Sequence, residues 1–171
     1  MSARDSQRSR VYAAEEFVRI LFDRAAQNNS RAVDFFGSQV TLPPEARFAS
    51  MESVQRYLDE VLALPAVTER WPATEPLRVR ARRAATAAHY ESGAGGGVIA
   101  VPQRLNADWA MRELVVLHEL AHHLLSGCGA EGPAHGPEFT ATLCDLAAAV
   151  MGPEAGHVLR VVYAKEGVRL R

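Results

Sequence analysis

Residues 118–122 read His-Glu-Leu-Ala-His, and a further histidine follows at 123. Residues four apart on an α-helix lie one turn apart on the same face. His118 and His122 therefore aim two imidazoles at one point. Glu119 projects about 100° further round the helix, beside that point rather than on it. Two nitrogen ligands with an adjacent carboxylate base are what a hydrolytic zinc site requires. The expected chemistry is hydrolysis by a metal-activated water, with Zn2+ as cofactor and Glu119 as general base.

A catalytic zinc takes three protein ligands and keeps one position open, so a third ligand has to come from downstream. Cys128, Glu131, His135 and Glu138 compete for the place. A ligand at Cys128, six residues after His122, needs a sharp chain break three residues after that histidine. Glycine permits such a break, but this chain has Leu125 there. Glu138 stands at the start of the next predicted helix, where an acid complements the positive end of the dipole. His135 is preferred, because neutral imidazole is a strong zinc ligand and the Gly136-Pro137 pair fixes its backbone. The expected ligand set is His118, His122 and His135. A chance match on an amphipathic helix is the competing reading. Against it stand Leu114, Leu117, Leu120 and Leu124 around the motif, which supply the dry surroundings that tune a metal site.

The elements that would position these residues follow from periodicity. Residues 1–9 are polar and expected to be disordered. Val11, Ala14, Val18, Leu21, Phe22 and Ala25 recur at helical spacing and predict a helix over 10–28. Residues 31–49 read as irregular, with Pro43-Pro44 forbidding a helix there. Ser50 is a suitable N-cap for a second helix with Glu52 in its first turn. Residues 65–76 hold three prolines and read as a loop. The alternation of Leu77-Arg78-Val79-Arg80-Ala81-Arg82 predicts a half-buried strand, and residues 84–90 either continue it or form another. Gly93–Gly97 is a turn about which Val98–Val101 pairs back as a hairpin. That last strand reads either as a core strand or as an edge able to accept an extended peptide. Asn106 or Asp108 is expected to cap the motif helix, which runs to about Leu125. After a loop over 126–136, a helix begins at Pro137 and ends at Gly152-Pro153, and a last helix spans 154–165.

The blocks His118-Glu119-Leu120-Ala121-His122 and His135-Gly136-Pro137-Glu138-Phe139 together resemble the metalloprotease core of the SprT and Spartan type. That resemblance covers roughly residues 77–150. It implies a zincin-like fold, a catalytic carboxylate at Glu119 and a third metal ligand at His135. The stretch Met151–Tyr163 is more similar to a small bacterial family of inferred metallohydrolases. The chain departs from the SprT proteins in showing no cysteine-rich zinc ribbon after the second block, and from Spartan in lacking long partner-binding and DNA-binding extensions.

Composition narrows the function classes. The 171 residues carry a net charge of −1, so nothing global favours nucleic acid or an anionic membrane. Arg78, Arg80 and Arg82 line one strand face, which reads as a solvated face guarding an edge ahead of a phosphate-contacting stripe. Nucleic-acid binding is expected to be weak or absent. No apolar run reaches the length of a membrane span and no signal-peptide pattern opens the chain, so a cytoplasmic location is expected. Two cysteines, Cys128 and Cys144, do not make a disulfide framework. His123 reads as a residue of the helix surface or one that supports the ligands from behind. Tyr163, His157 and Arg160 are candidate donors to an oxyanion, although Tyr163 falls on an apolar stripe that favours the core. The expectation is a single α+β domain over 1–171, with a small, mainly antiparallel sheet packed on the HExxH helix. Its expected activity is that of a zinc metallopeptidase acting on peptide or protein. The alternatives are a zinc-bearing regulatory or binding module with little turnover, and a hydrolase of non-peptide bonds.

Overall fold

The computed structural model describes residues 5–72, 75–83, 87–102 and 108–171, with Asp108 described by its backbone alone. In chain order the elements are α1 (Arg8–Gln27), β1 (Ala32–Phe35), β2 (Ser38–Thr41), α2 (Met51–Leu62), α3 (Pro65–Arg70), β3 (Leu77–Arg82), β4 (His89–Gly93), β5 (Gly96–Pro102), a 3₁₀ turn (Asp108–Ala110), α4 (Glu113–Gly127), α5 (Pro137–Val150) and α6 (Pro153–Lys165). The class is α+β. The chain divides into two compact units, Ala46–Ala130 and Met1–Glu45 with Glu131–Arg171.

In the unit Ala46–Ala130, Ser50 caps α2 as expected: its hydroxyl accepts from the Ser53 amide at 3.1 Å, and the Ser53 hydroxyl accepts from the Ser50 amide at 3.1 Å. The sheet order is β3-β5-β4. β4 and β5 form the expected hairpin, antiparallel from His89↔Ala100 to Gly93↔Gly96. β3 runs parallel to β5, in register from Leu77↔Gly97 to Arg82↔Pro102. The sheet is therefore mixed rather than mainly antiparallel, and β5 is its central strand. This corrects the reading of Val98–Val101 as a peptide-accepting edge, because both sides of β5 are already paired. The outer side of β3 is closed by a side chain: Gln55 of α2 donates to the Leu77 carbonyl at 3.1 Å and accepts from the Val79 amide at 2.8 Å. Arg80 on β3 reaches Glu91 on β4 at 2.6 Å, so the arginine face carries a charge pair.

Helix α4 lies against β4 and β5. It is buried almost all round, from Glu113 to Leu124, with His122 the more open position. Its four leucines at 114, 117, 120 and 124 are buried, each stabilising the fold by about 1.5–3 kcal/mol. The helix starts later than expected. Asn106 lies outside the described residues, Asp108 opens the 3₁₀ turn, and Arg112 is the N-cap. Residues 111–113 are taken up by a short extended pairing, with the Phe48 amide donating to the Met111 carbonyl at 2.9 Å and the Glu113 amide to the Ala46 carbonyl at 3.0 Å. The Glu113 carboxylate then accepts from the Ala46 amide at 2.8 Å and from the Tyr57 hydroxyl at 2.6 Å. This fastens the first turn of the motif helix to the segment before α2.

In the other unit, α6 packs on both α1 and α5, and the β1–β2 hairpin sits beside α1. Tyr163 is fully buried, and its hydroxyl donates to Glu15 of α1 at 2.7 Å. The expectation of a disordered start does not hold from Asp5 onward. Gln7 is buried; its amide donates to the His135 carbonyl at 2.8 Å, and its oxygen accepts from the Arg169 amide at 3.0 Å. Two further expectations are corrected: residues 32–41 form the hairpin rather than irregular chain, and α3 occupies part of the predicted loop. Pro65 sits at its first helical turn, where a missing N–H costs nothing. No helix among the described residues is long and apolar enough to cross a membrane.

Candidate metal centre

The helical spacing does what the sequence requires of it. The Nε2 atoms of His118 and His122 lie 3.3 Å apart, with ring centroids at 5.0 Å and an interplanar angle of 72°. Two nitrogens at about 2.0–2.1 Å from one tetrahedral ion are about 3.3–3.4 Å from each other, so the pair is already at the spacing a shared ion imposes. Glu119 is buried on the same helix. One ligand nitrogen from each of His118, His122 and His135 falls within 4.8 Å of the other two, close enough for a metal ion to engage all three. Cys128, Glu131 and Glu138 are outside this group. Cys128 is exposed at the C-cap of α4, and Glu138 pairs with Arg171 at 2.8 Å.

His135 is held on every side. It occupies the third position of a turn closed by the Gly136 amide donating to the Pro133 carbonyl at 2.9 Å. Its ring packs against Tyr12 and Phe139, with centroids at 5.2 Å and 5.0 Å. Its Nδ1 is 2.6 Å from Asp5 Oδ2. An ionised carboxylate can only accept, so in a neutral imidazole this contact suits the tautomer with the proton on Nδ1 and the lone pair on Nε2. The donor set is one that could hold a metal ion: three imidazoles, with one ring nitrogen of His135 engaged by a carboxylate, as metal-bound histidines usually are.

His123 points away from the pair. It is 1 % exposed, which corrects the surface reading. Its Nε2 is 3.0 Å from the Glu75 carbonyl and its Nδ1 is 3.3 Å from the Tyr90 hydroxyl. Burial holds its imidazole below the ordinary range, with the bond to the Glu75 carbonyl pulling the other way. The ring thus ties the motif helix to β4 and to the chain entering β3. The tie needs Gly97 on β5, since a Cβ there would stand 2.5 Å from His123 Nδ1 and 2.7 Å from Tyr90 Cε2. Gly97→Ala is expected to destabilise the protein by about 1–3 kcal/mol through overpacking. Gly95→Ala, which meets nothing within 4 Å, should stay within about 0.5 kcal/mol of the parent. Urea unfolding of the three proteins checks this, and equal midpoints for the two variants would count against the tie.

The proposed oxyanion donors each have other work in the structure. Tyr163 is in the core with Glu15, and burial pushes its phenol well above the ordinary range, the Glu15 charge adding to the effect. Arg160 is paired with Asp145. His157 is exposed, with its ring edge toward Phe35 at 6.5 Å. Burial pushes the Cys144 thiol up to about 12, so it remains protonated at neutral pH and unsuited to act as a nucleophile. Sequence reasoning missed Asp5 and Gln7, which bond to the ring and backbone of His135, Glu15, which accepts from Tyr163, and Glu113, which accepts from Ala46 and Tyr57. Glu113 opens α4 in the structure, but a cap at Asn106 or Asp108 places it past the first turn of the predicted helix, so no local signal marked it. No protein-family model, no curated protein and no solved structure matches the chain.

Proposed function

We propose that the protein is a zinc-dependent hydrolase of zincin-like design that acts on peptide bonds. The observation that carries this reading is the convergence of His118, His122 and His135, with a buried glutamate next to the first of them in the chain. The three histidines would hold the metal. An all-imidazole set suits zinc among the hydrolytic metals, and three ligands leave a fourth position for water. Zinc bound there supplies Lewis acidity, which acidifies water and polarises a carbonyl. Glu119, beside the ligands but outside their group, takes the proton from the attacking water and passes it to the leaving amine. The apolar shell of α4 keeps bulk solvent from the carboxylate and strengthens its electrostatic action. The resemblance of the two histidine blocks to SprT-type proteases supports peptide as the substrate class.

Metal-loaded protein is expected to cut members of a quenched fluorescent peptide library, to stop after chelation and to resume on adding zinc. A protein that binds one zinc and cuts no peptide would favour the regulatory module. A protein that takes up no zinc at all would remove the reading altogether.

A further inference from the structure

The N-terminal segment is built into the candidate metal centre, and the sequence offers no hint of it. Asp5 Oδ2 holds His135 Nδ1 at 2.6 Å, with side chains 22 % and 6 % exposed respectively. Two residues on, Gln7 holds the backbone of the same histidine through its carbonyl at 2.8 Å. Gln7 is itself fixed by Arg169, whose amide donates to it at 3.0 Å and whose carbonyl accepts from it at 3.3 Å. Thr140 of α5 closes the frame by donating to the same Arg169 carbonyl at 2.9 Å. The other oxygen of Asp5, Oδ1, is buried with no hydrogen-bond partner among the described residues. An unsatisfied buried carboxylate oxygen is a cost to folding, so stability alone does not account for an aspartate at this position. Among the described residues its side chain bonds to the imidazole.

We propose that Asp5 is a positioning residue for the metal centre: by accepting the Nδ1 proton it locks His135 in one tautomer and presents Nε2 as the ligand atom. Gln7 and Arg169 hold Asp5 in range. This inference rests on the zinc reading of the three histidines, but its first test needs no metal.

Long-range 1H–15N spectra of the metal-free protein should show His135 protonated at Nδ1. In Asp5→Ala that signature should give way to a mixture or to the Nε2–H form. Zinc affinity, measured by competition with a chromogenic chelator, should fall about 10- to 100-fold in Asp5→Ala. Asp5→Asn keeps a neutral acceptor and should hold the tautomer while recovering part of the affinity. If Asp5→Ala does not fold by circular dichroism, Asp5→Asn decides: an affinity equal to that of the parent would overturn the role. An unchanged tautomer in folded Asp5→Ala, with zinc affinity within about twofold of the parent, would also overturn it. A parent that binds no zinc would end the proposed function, and the tautomer comparison would still decide what Asp5 does.

Discussion

Glu119→Gln is expected to bind zinc with the parent's stoichiometry and to lose hydrolysis of every substrate the parent cleaves. Glu119 lies outside the histidine group, so removing its charge takes away no ligand. Glutamine has nearly the same shape, so the buried site on α4 keeps its packing. What disappears is the ability to accept a proton, and general base catalysis contributes about 10²–10⁴-fold. Metal analysis and peptide cleavage on one preparation check both halves. Activity surviving in the zinc-loaded variant would mean that another group takes the proton.

The second large effect separates the third-ligand candidates. His135→Ala should weaken zinc binding by more than the roughly 100-fold that loss of a ligand's hydrogen-bond partner costs, while Cys128→Ser should leave it unchanged. Cys128 is an exposed thiol at the end of α4. His135 is buried, fixed at both backbone and ring. X-ray absorption of the loaded parent should then show nitrogen neighbours at about 2.0–2.1 Å and no sulfur shell near about 2.3 Å. A sulfur shell that vanishes in Cys128→Ser would reverse the assignment.

The parts of this protein that the sequence discloses are those whose signal is local. The period of α1, α2, α5 and α6, the Ser50 cap and the glycine hairpin between β4 and β5 are each written within a dozen residues, and each appears in the structure. The i, i+4 histidine pair is legible for the same reason. The β1–β2 hairpin was missed because its turn is Phe36-Gly37, both at positive φ of 51° and 81°. Such a turn is ordinarily announced by Asn-Gly or Asp-Gly, and a phenylalanine in that conformation is uncommon. Here Phe36 stacks on Phe17 with ring centroids at 5.8 Å, and the Lys165 ammonium lies 4.0 Å over its ring, contacts that no local pattern reveals. The parallel pairing of β3 with β5 is invisible because alternation reports which side of a strand is buried, not its neighbour's direction. Asp5 and Gln7 were read as disordered because they are polar and near the start. Their partner His135 is 130 and 128 residues away along the chain, beyond any window of periodicity.

The contact between Gly97 and His123 constrains how this chain can change over generations. The imidazole and the Tyr90 ring together occupy the space that any side chain at 97 would need, so a smaller residue at 123 is necessary for substitution at 97 but opens it only if Tyr90 also gives way. Once 123 has shrunk, the vacated space favours filling at 97 and makes the return path costly. Positions 97, 123 and 90, on β5, α4 and β4, are therefore inherited as one character. A lineage that loses the pair also loses the anchor that lets two adjacent histidines of the same helix serve opposite faces.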